Sequence, residues 1–147
     1  MKNFSIEDGF VLEILDYLQG TDEEISREGE KVLKIVDHNG ESHLKSRFDW
    51  YTSNVVRYIG LREDLKKAFA QEGDKKEISG KLLVELIEHM EDSRAILLWH
   101  SRVILERCRK DQNCLEQLED EILRIEAGNG IQRELRRILK GDSEYLK

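Results

Sequence analysis

Apolar residues recur at three- and four-residue intervals along most of this chain, the spacing of one face of an α-helix. Ile6, Phe10, Val11, Ile14, Leu15 and Leu18 form the first stripe. Ser5 and Asp8 have capping-box spacing at its start, and Gly20 marks its end. Thr21 and Glu24 repeat that spacing and predict a second helix with Ile25, Val32, Leu33 and Val36, closed by Asn39 and Gly40. Gly9 and Gly29, inside these two helices, predict close helix packing. Ser42 opens a third helix whose face is Leu44, Phe48, Tyr51, Val55, Tyr58 and Ile59. A kink at Gly60 shifts its stripe to Leu61, Leu65, Ala68 and Phe69.

Gly73 and Asp74 form the next break, with Asp74 and Glu77 again at capping distance. The fourth helix, roughly 75–110, carries Leu83, Leu86, Ile87, Met90, Leu97, Leu98, Ile104, Leu105 and Cys108 on one face. Ile96, Trp99 and Val103 make its far side apolar too, which predicts a buried central helix. Asn113 and Glu116 cap a fifth helix with Leu115, Leu118, Ile122 and Ile125. Gly128, Asn129 and Gly130 then predict a turn, before a last helix with Ile131, Leu135, Ile138 and Leu139 inside. The expected fold is an all-α, single-domain bundle of about six helices over residues 1–141, with a flexible tail at 142–147. Two long antiparallel helices, about 42–71 and 75–110, are expected to dominate it.

Composition agrees with that pattern. The chain has 147 residues, within the size of one domain, and no proline. Its longest apolar run, Ala95 to Trp99, is far short of the ~20 residues of a membrane span. The N-terminus lacks the apolar stretch of a secretory signal, so Cys108 and Cys114 are expected to be reduced thiols in a cytoplasmic protein. The net charge of −7 argues against direct nucleic-acid binding. Residues 1–40 carry a net −6 of it, from ten acids and four bases.

Several groups are candidates for chemistry. Arg94 falls within the apolar stripe of the fourth helix, where a charge needs a partner or a cleft. His89, Ser93, His100 and Arg107 form a polar column on its flank, bordering a possible groove. Arg94, five intervening residues and His100 also resemble the arginine–histidine signature of HEPN ribonucleases, over seven residues. That family consists of helical bundles in which paired protomers bring the two residues together to cleave RNA without metal. The resemblance implies a dimeric ribonuclease using Arg94 and His100. Here Ala95 stands where the family usually has a polar residue after the arginine.

No metal site is expected. Glu85 and His89 lack a second copy, Cys108 and Cys114 lack zinc spacing, and His38, His43, Asp37 and Glu41 flank a turn. No phosphate loop, dinucleotide fingerprint, nucleophile elbow or zinc-protease motif occurs, and no cofactor is expected. The broadest signal is the acidic opening. Glu23, Glu24, Glu28 and Glu30 predict a docking surface for a protein with a basic surface. Arg133, Arg136, Arg137 and Lys140 form a secondary basic face that a second copy of the chain could offer in a homodimer. The leading expectation is therefore a non-enzymatic, protein-binding helical module: an inhibitor, an immunity or anti-defence factor, or an adaptor. The HEPN-type ribonuclease and a structural subunit of a larger complex are the alternatives.

Overall fold

The computed structural model describes residues 2–39, 42–107 and 112–141, and the side chains within them other than 28–39, 42–45, 47, 48, 103, 106, 107 and 112–114. Its elements are β1 (Asn3–Glu7), α1 (Asp8–Asn39), α2 (Ser42–Ser53), α3 (Val55–Phe69), β2 (Lys75–Ser79), α4 (Gly80–Arg107) and α5 (Gln112–Lys140). The protein is mostly helical, with five helices and one two-stranded sheet among the described residues. The all-α expectation holds in outline, while the small sheet and the five helices among the described residues replace the six-helix count. The tail at 142–147 lies outside the described residues.

The sheet joins the two ends of the first half of the chain. β1 and β2 are antiparallel, with Phe4 opposite Ile78, Ile6 opposite Lys76 and Glu7 opposite Lys75. Phe4 and Ile6 alternate with polar residues and turn inward, as one half-buried strand requires. In β2 the inward positions are Lys76 and Ile78. Lys76 is buried along its stem, passes over the Phe69 ring, and donates from Nζ to the Gln71 carbonyl. Ser79 caps α4, its Oγ accepting the Leu82 N–H at 3.1 Å. Residues 75–79, expected as the first turn of the fourth helix, are thus strand and cap.

Two expected helix ends are helix interior. α1 runs through Gly20, and α5 runs through Gly128, Asn129 and Gly130. These glycines are contact points between α1 and α5. A Cβ on Gly20 would lie 2.9 Å from the Arg124 guanidinium, and one on Gly128 would overlap the Tyr17 hydroxyl. The apolar stripe of α1 continues from Ile14 and Leu18 through Thr21 and Asp22 to Ile25, all buried. The third helix, by contrast, divides at Asn54 and not at Gly60. The Asn54 amide side chain donates to the Trp50 carbonyl at 2.7 Å and closes α2. Gly60 is exposed, with nothing within 4 Å of a Cβ built on it, and Gly9 is equally open. Close packing at Gly9 is therefore corrected. Gly29 lies outside the described side chains.

α4 and α5 pack antiparallel, Glu91 meeting Arg136 near one end and His100 meeting Glu121 nearer the other. α1 lies antiparallel to α5, through Tyr17 on Gly128 and Glu24 on Arg124. The core between them includes Val11, Ile14, Leu18, Leu65, Leu83, Leu86, Met90, Leu97, Leu135 and Leu139. No helix among the described residues is long and apolar enough to cross a membrane.

The buried face of α4 differs from the face inferred from its apolar residues. Leu86, Met90, Ser93, Leu97, His100 and Ile104 are all buried and recur at steps of four and three residues. Leu98 and Leu105 are exposed at 42% and 48%. The face inferred from the apolar residues, those two leucines among them, is centred roughly 60° from that row, at about 100° per residue. Arg94 sits on that displaced side and is exposed, so its burial is corrected. His89, Ser93 and His100, expected on a boundary, are inside.

Candidate functional site

The buried polar residues gather around Asp22. Its carboxylate lies inside the bundle and receives groups from three other helices. The Tyr51 hydroxyl of α2 donates to it. His89 Nε2 of α4 lies 3.0 Å from Oδ1, and Arg62 Nε of α3 lies 3.5 Å from Oδ2. One carboxylate of α1 therefore ties α2, α3 and α4. An isolated buried charge would cost several kcal/mol, and these partners compensate for it.

The aromatic rings hold the imidazole in place. Tyr58 stacks on His89, with centroids 3.8 Å apart and planes at 15°. Tyr51 lies 4.9 Å from Tyr58. The Tyr58 hydroxyl donates to Asp92 at 3.0 Å. Ser93 donates to the His89 carbonyl at 3.0 Å, one turn back, and its Oγ is 3.5 Å from His89 Nδ1. Burial and the neighbouring Asp22 charge push the Tyr51 hydroxyl well above the ordinary tyrosine range. Burial, then Asp92, does the same for Tyr58. Both phenols are thus held neutral, as hydrogen-bond donors.

Asp, His and Ser occur here in the order of a nucleophile relay. His89 and Ser93 are each 1% exposed, however, and neither is among the residues lining the adjacent cleft between α1 and the α2–α3 corner. The Ser93 hydroxyl proton is committed to a backbone carbonyl. The cluster is equipped to fix helix positions and to shape what lies outside it.

Outside it is a cleft of about 430 Å³ between α1 and the corner where α2 meets α3. Asp22, Tyr51 and Tyr58 form its floor, Val55 and Ile59 one wall, and Glu23, Ser26, Arg27 and Arg62 its polar edge. Exposed apolar side chains accompany it on α2 and α3: Trp50 at 56% and Val56 at 82%.

A second buried polar group joins α1, α4 and α5. His100 Nδ1 lies 2.8 Å from Glu121, whose side chain is fully buried. Arg124 forms an ion pair with Glu24 at 2.7 Å and donates to Thr21 at 3.3 Å. Burial raises the Glu24 carboxyl above its ordinary value, opposed by Arg124 and reinforced by Glu121. Among the described residues, no three His, Cys, Asp or Glu side chains are arranged to hold a metal ion.

The candidates from sequence are distributed as follows. Glu23 is exposed at the cleft edge. Glu24 is half-buried and engaged by Arg124. The side chains of Glu28, Glu30, Arg107, Cys108, Cys114, Asp37, His38 and His43 lie outside the described residues, as does Glu41. Arg94 and His100 do not converge: Arg94 faces a groove toward α5, while His100 is buried against Glu121. Arg133 and Arg136 share the Arg94 groove, Arg137 pairs with Glu134 on its own helix, and Lys140 is exposed.

Sequence reasoning misses Asp22, Arg62 and Asp92, and reads Tyr51 and Tyr58 only as apolar-face positions of the third helix. A signal for Asp22 was present, since Thr21 and Asp22 continue the apolar stripe if α1 is not broken at Gly20. The tyrosines carried none, because a phenol on an apolar face reads as core. Comparison with protein-family models, characterised proteins and solved structures gives no match for this chain.

Proposed function

We propose that this chain is a non-enzymatic helical binding module, of the inhibitor or adaptor kind, acting in the cytoplasm. It docks a basic partner protein on the acidic flank of α1 and the cleft beside it. One observation carries this reading. The groups suited to catalysis, His89, Ser93, His100 and Glu121, are buried against the chain's own side chains. The surface beside them offers instead an acidic edge at Glu23, with exposed Trp50, Val56 and Ile59. Arg27 and Arg62 share that edge, and the apolar side chains beside Glu23 suit a segment bearing Lys or Arg among apolar residues. Asp16 and Glu23 on the exposed side of α1 extend the negative field that would steer such a partner.

The test is affinity capture from the native host with wild type, Glu23→Lys and Val56→Asp. A partner held by wild type at low salt, released by high salt and lost in both variants is the expected result. Retention unchanged in both variants, or no partner at low salt, refutes the docking surface.

A structural subunit is the second reading, favoured by the exposed Leu98 and Leu105 of α4 and Ile122 and Leu123 of α5. Those leucines and isoleucine would then be covered in an assembly. Light scattering that finds only a monomer across the accessible concentration range counts against it.

A further inference from the structure

A second concave surface lies between α4 and α5. Its volume is about 520 Å³, and its lining includes Arg94, Arg133, Arg136, Gln132, Ala95 and Leu98. Three guanidiniums from two helices thus face one space, on a chain whose net charge is −7. Clustered like charges repel, so their convergence is unfavourable unless an anion offsets it. Glu91, at the groove edge, offsets one by pairing with Arg136. Arg94 and Arg133 have no ion pair among the described residues. An excess charge of about two therefore faces the groove by this simple count.

We propose that the α4–α5 groove is a binding site for phosphate groups of a small molecule, held by Arg94, Arg133 and Arg136. Guanidinium presents its donors as a rigid fork that matches phosphate oxygens two at a time. A single carboxylate carries one charge, too few to offset an excess of about two. A phosphate dianion or a diphosphate supplies both the oxygens and the charge. Gln132 adds an amide, and its side chain is mostly buried, so its position is fixed by packing. Leu98, though apolar, is open to solvent beside the arginines and gives the organic part of a ligand a surface to cover. The volume lies within the range of small-molecule sites. A long nucleic acid would meet the negative field of the whole chain, whereas a small phosphate meets only the local positive one.

The test is calorimetric titration of the full chain with inorganic pyrophosphate and, separately, with ADP. The variants are the Arg94→Gln, Arg133→Gln double and, as a control outside the groove, Arg137→Gln. Arg94 and Arg133 are both exposed, so circular dichroism and the melting temperature are expected to be unchanged. The expected result is saturable binding of at least one probe, weakened about tenfold or more in the double variant and unaltered in the control. Tighter binding of ADP identifies an organic phosphate as the occupant; tighter binding of pyrophosphate identifies a free inorganic one. No saturable binding of either probe, or equal affinity in wild type and the double variant, overturns the proposal. The docking surface of α1 is probed by different residues, so either idea can fail alone.

Discussion

Asp22 shows how one side chain acquires its role from its surroundings. On an exposed helix it would be a solvated charge. Within α1 it falls on the buried stripe, and Tyr51, His89 and Arg62 must meet it there. Removing the carboxylate leaves the imidazole and guanidinium facing a void and strands a buried phenol. Asp22→Ala is therefore expected to lower unfolding free energy by about 3–5 kcal/mol, the usual cost of breaking a buried pair. Asp22→Asn, which keeps an acceptor for Tyr51, is expected to lose less. Urea denaturation of the three proteins measures both; an Asp22→Ala protein as stable as wild type would mean the cluster is not a structural tie. Arg94 teaches the reverse lesson. Two exposed leucines, Leu98 and Leu105, imitate core residues and make a surface arginine look buried.

Glycine has opposite meanings in different helices. Gly60 and Gly9 stand in open helix surface with nothing near a prospective Cβ. Gly128 stands where α5 touches the Tyr17 ring. Gly60→Ala is expected to stabilise by about 0.5–1 kcal/mol, because alanine restricts the unfolded chain and favours helix. Gly128→Ala forces Tyr17 or α5 to move and is expected to cost about 1–3 kcal/mol. Paired thermal melts decide the matter: equal effects of the two substitutions would contradict the α1–α5 contact. The break between α2 and α3 follows from local chemistry at Asn54, whose side chain takes the carbonyl that a continuing helix would use. The β1–β2 ladder is different in kind, since its strands are far apart in sequence and pair only once the helices between them have folded back.

The molecule carries its charge in separate places. Acid concentrates on α1, while Arg94, Arg133 and Arg136 meet between α4 and α5. The interior is polar as well as apolar, and pH acts through it. Glu24 has a folded-state pKa above its ordinary value of 4.5, mainly from burial. A raised acid favours the protonated folded form, so its stabilising contribution is complete below the unfolded value. It is lost as pH rises through the folded one. Wild type is thus expected to lose stability from about pH 4.5 upward relative to Glu24→Gln, which cannot titrate. Chemical denaturation across that range checks the slope; parallel curves would remove Glu24 as its source. Tyr17, Tyr51 and Tyr58 act in the same direction at alkaline pH, all being raised first by burial.

The spacing of apolar residues was enough to establish that the chain is mostly helical and to locate most of its core, because burial on a helix imposes a period of about 3.6 residues wherever it occurs. Along α4 the same spacing picks out Leu83, Leu86, Ile87, Met90, Leu97 and Ile104, all of them buried. Local signals failed where a distant group replaced what they normally imply. Gly20 and Gly128 look like helix ends until Arg124 and Tyr17 occupy the space beside them. The strand Asn3–Glu7 alternates visibly, yet its partner hides its alternation because Lys76 fills an inward position. Local sequence hints that Asp22 is buried, since it continues the stripe of α1, but says nothing of its partners. Four helices must meet before a carboxylate, an imidazole, a phenol and a guanidinium become neighbours, and only the tertiary arrangement brings them within hydrogen-bonding or ion-pair reach.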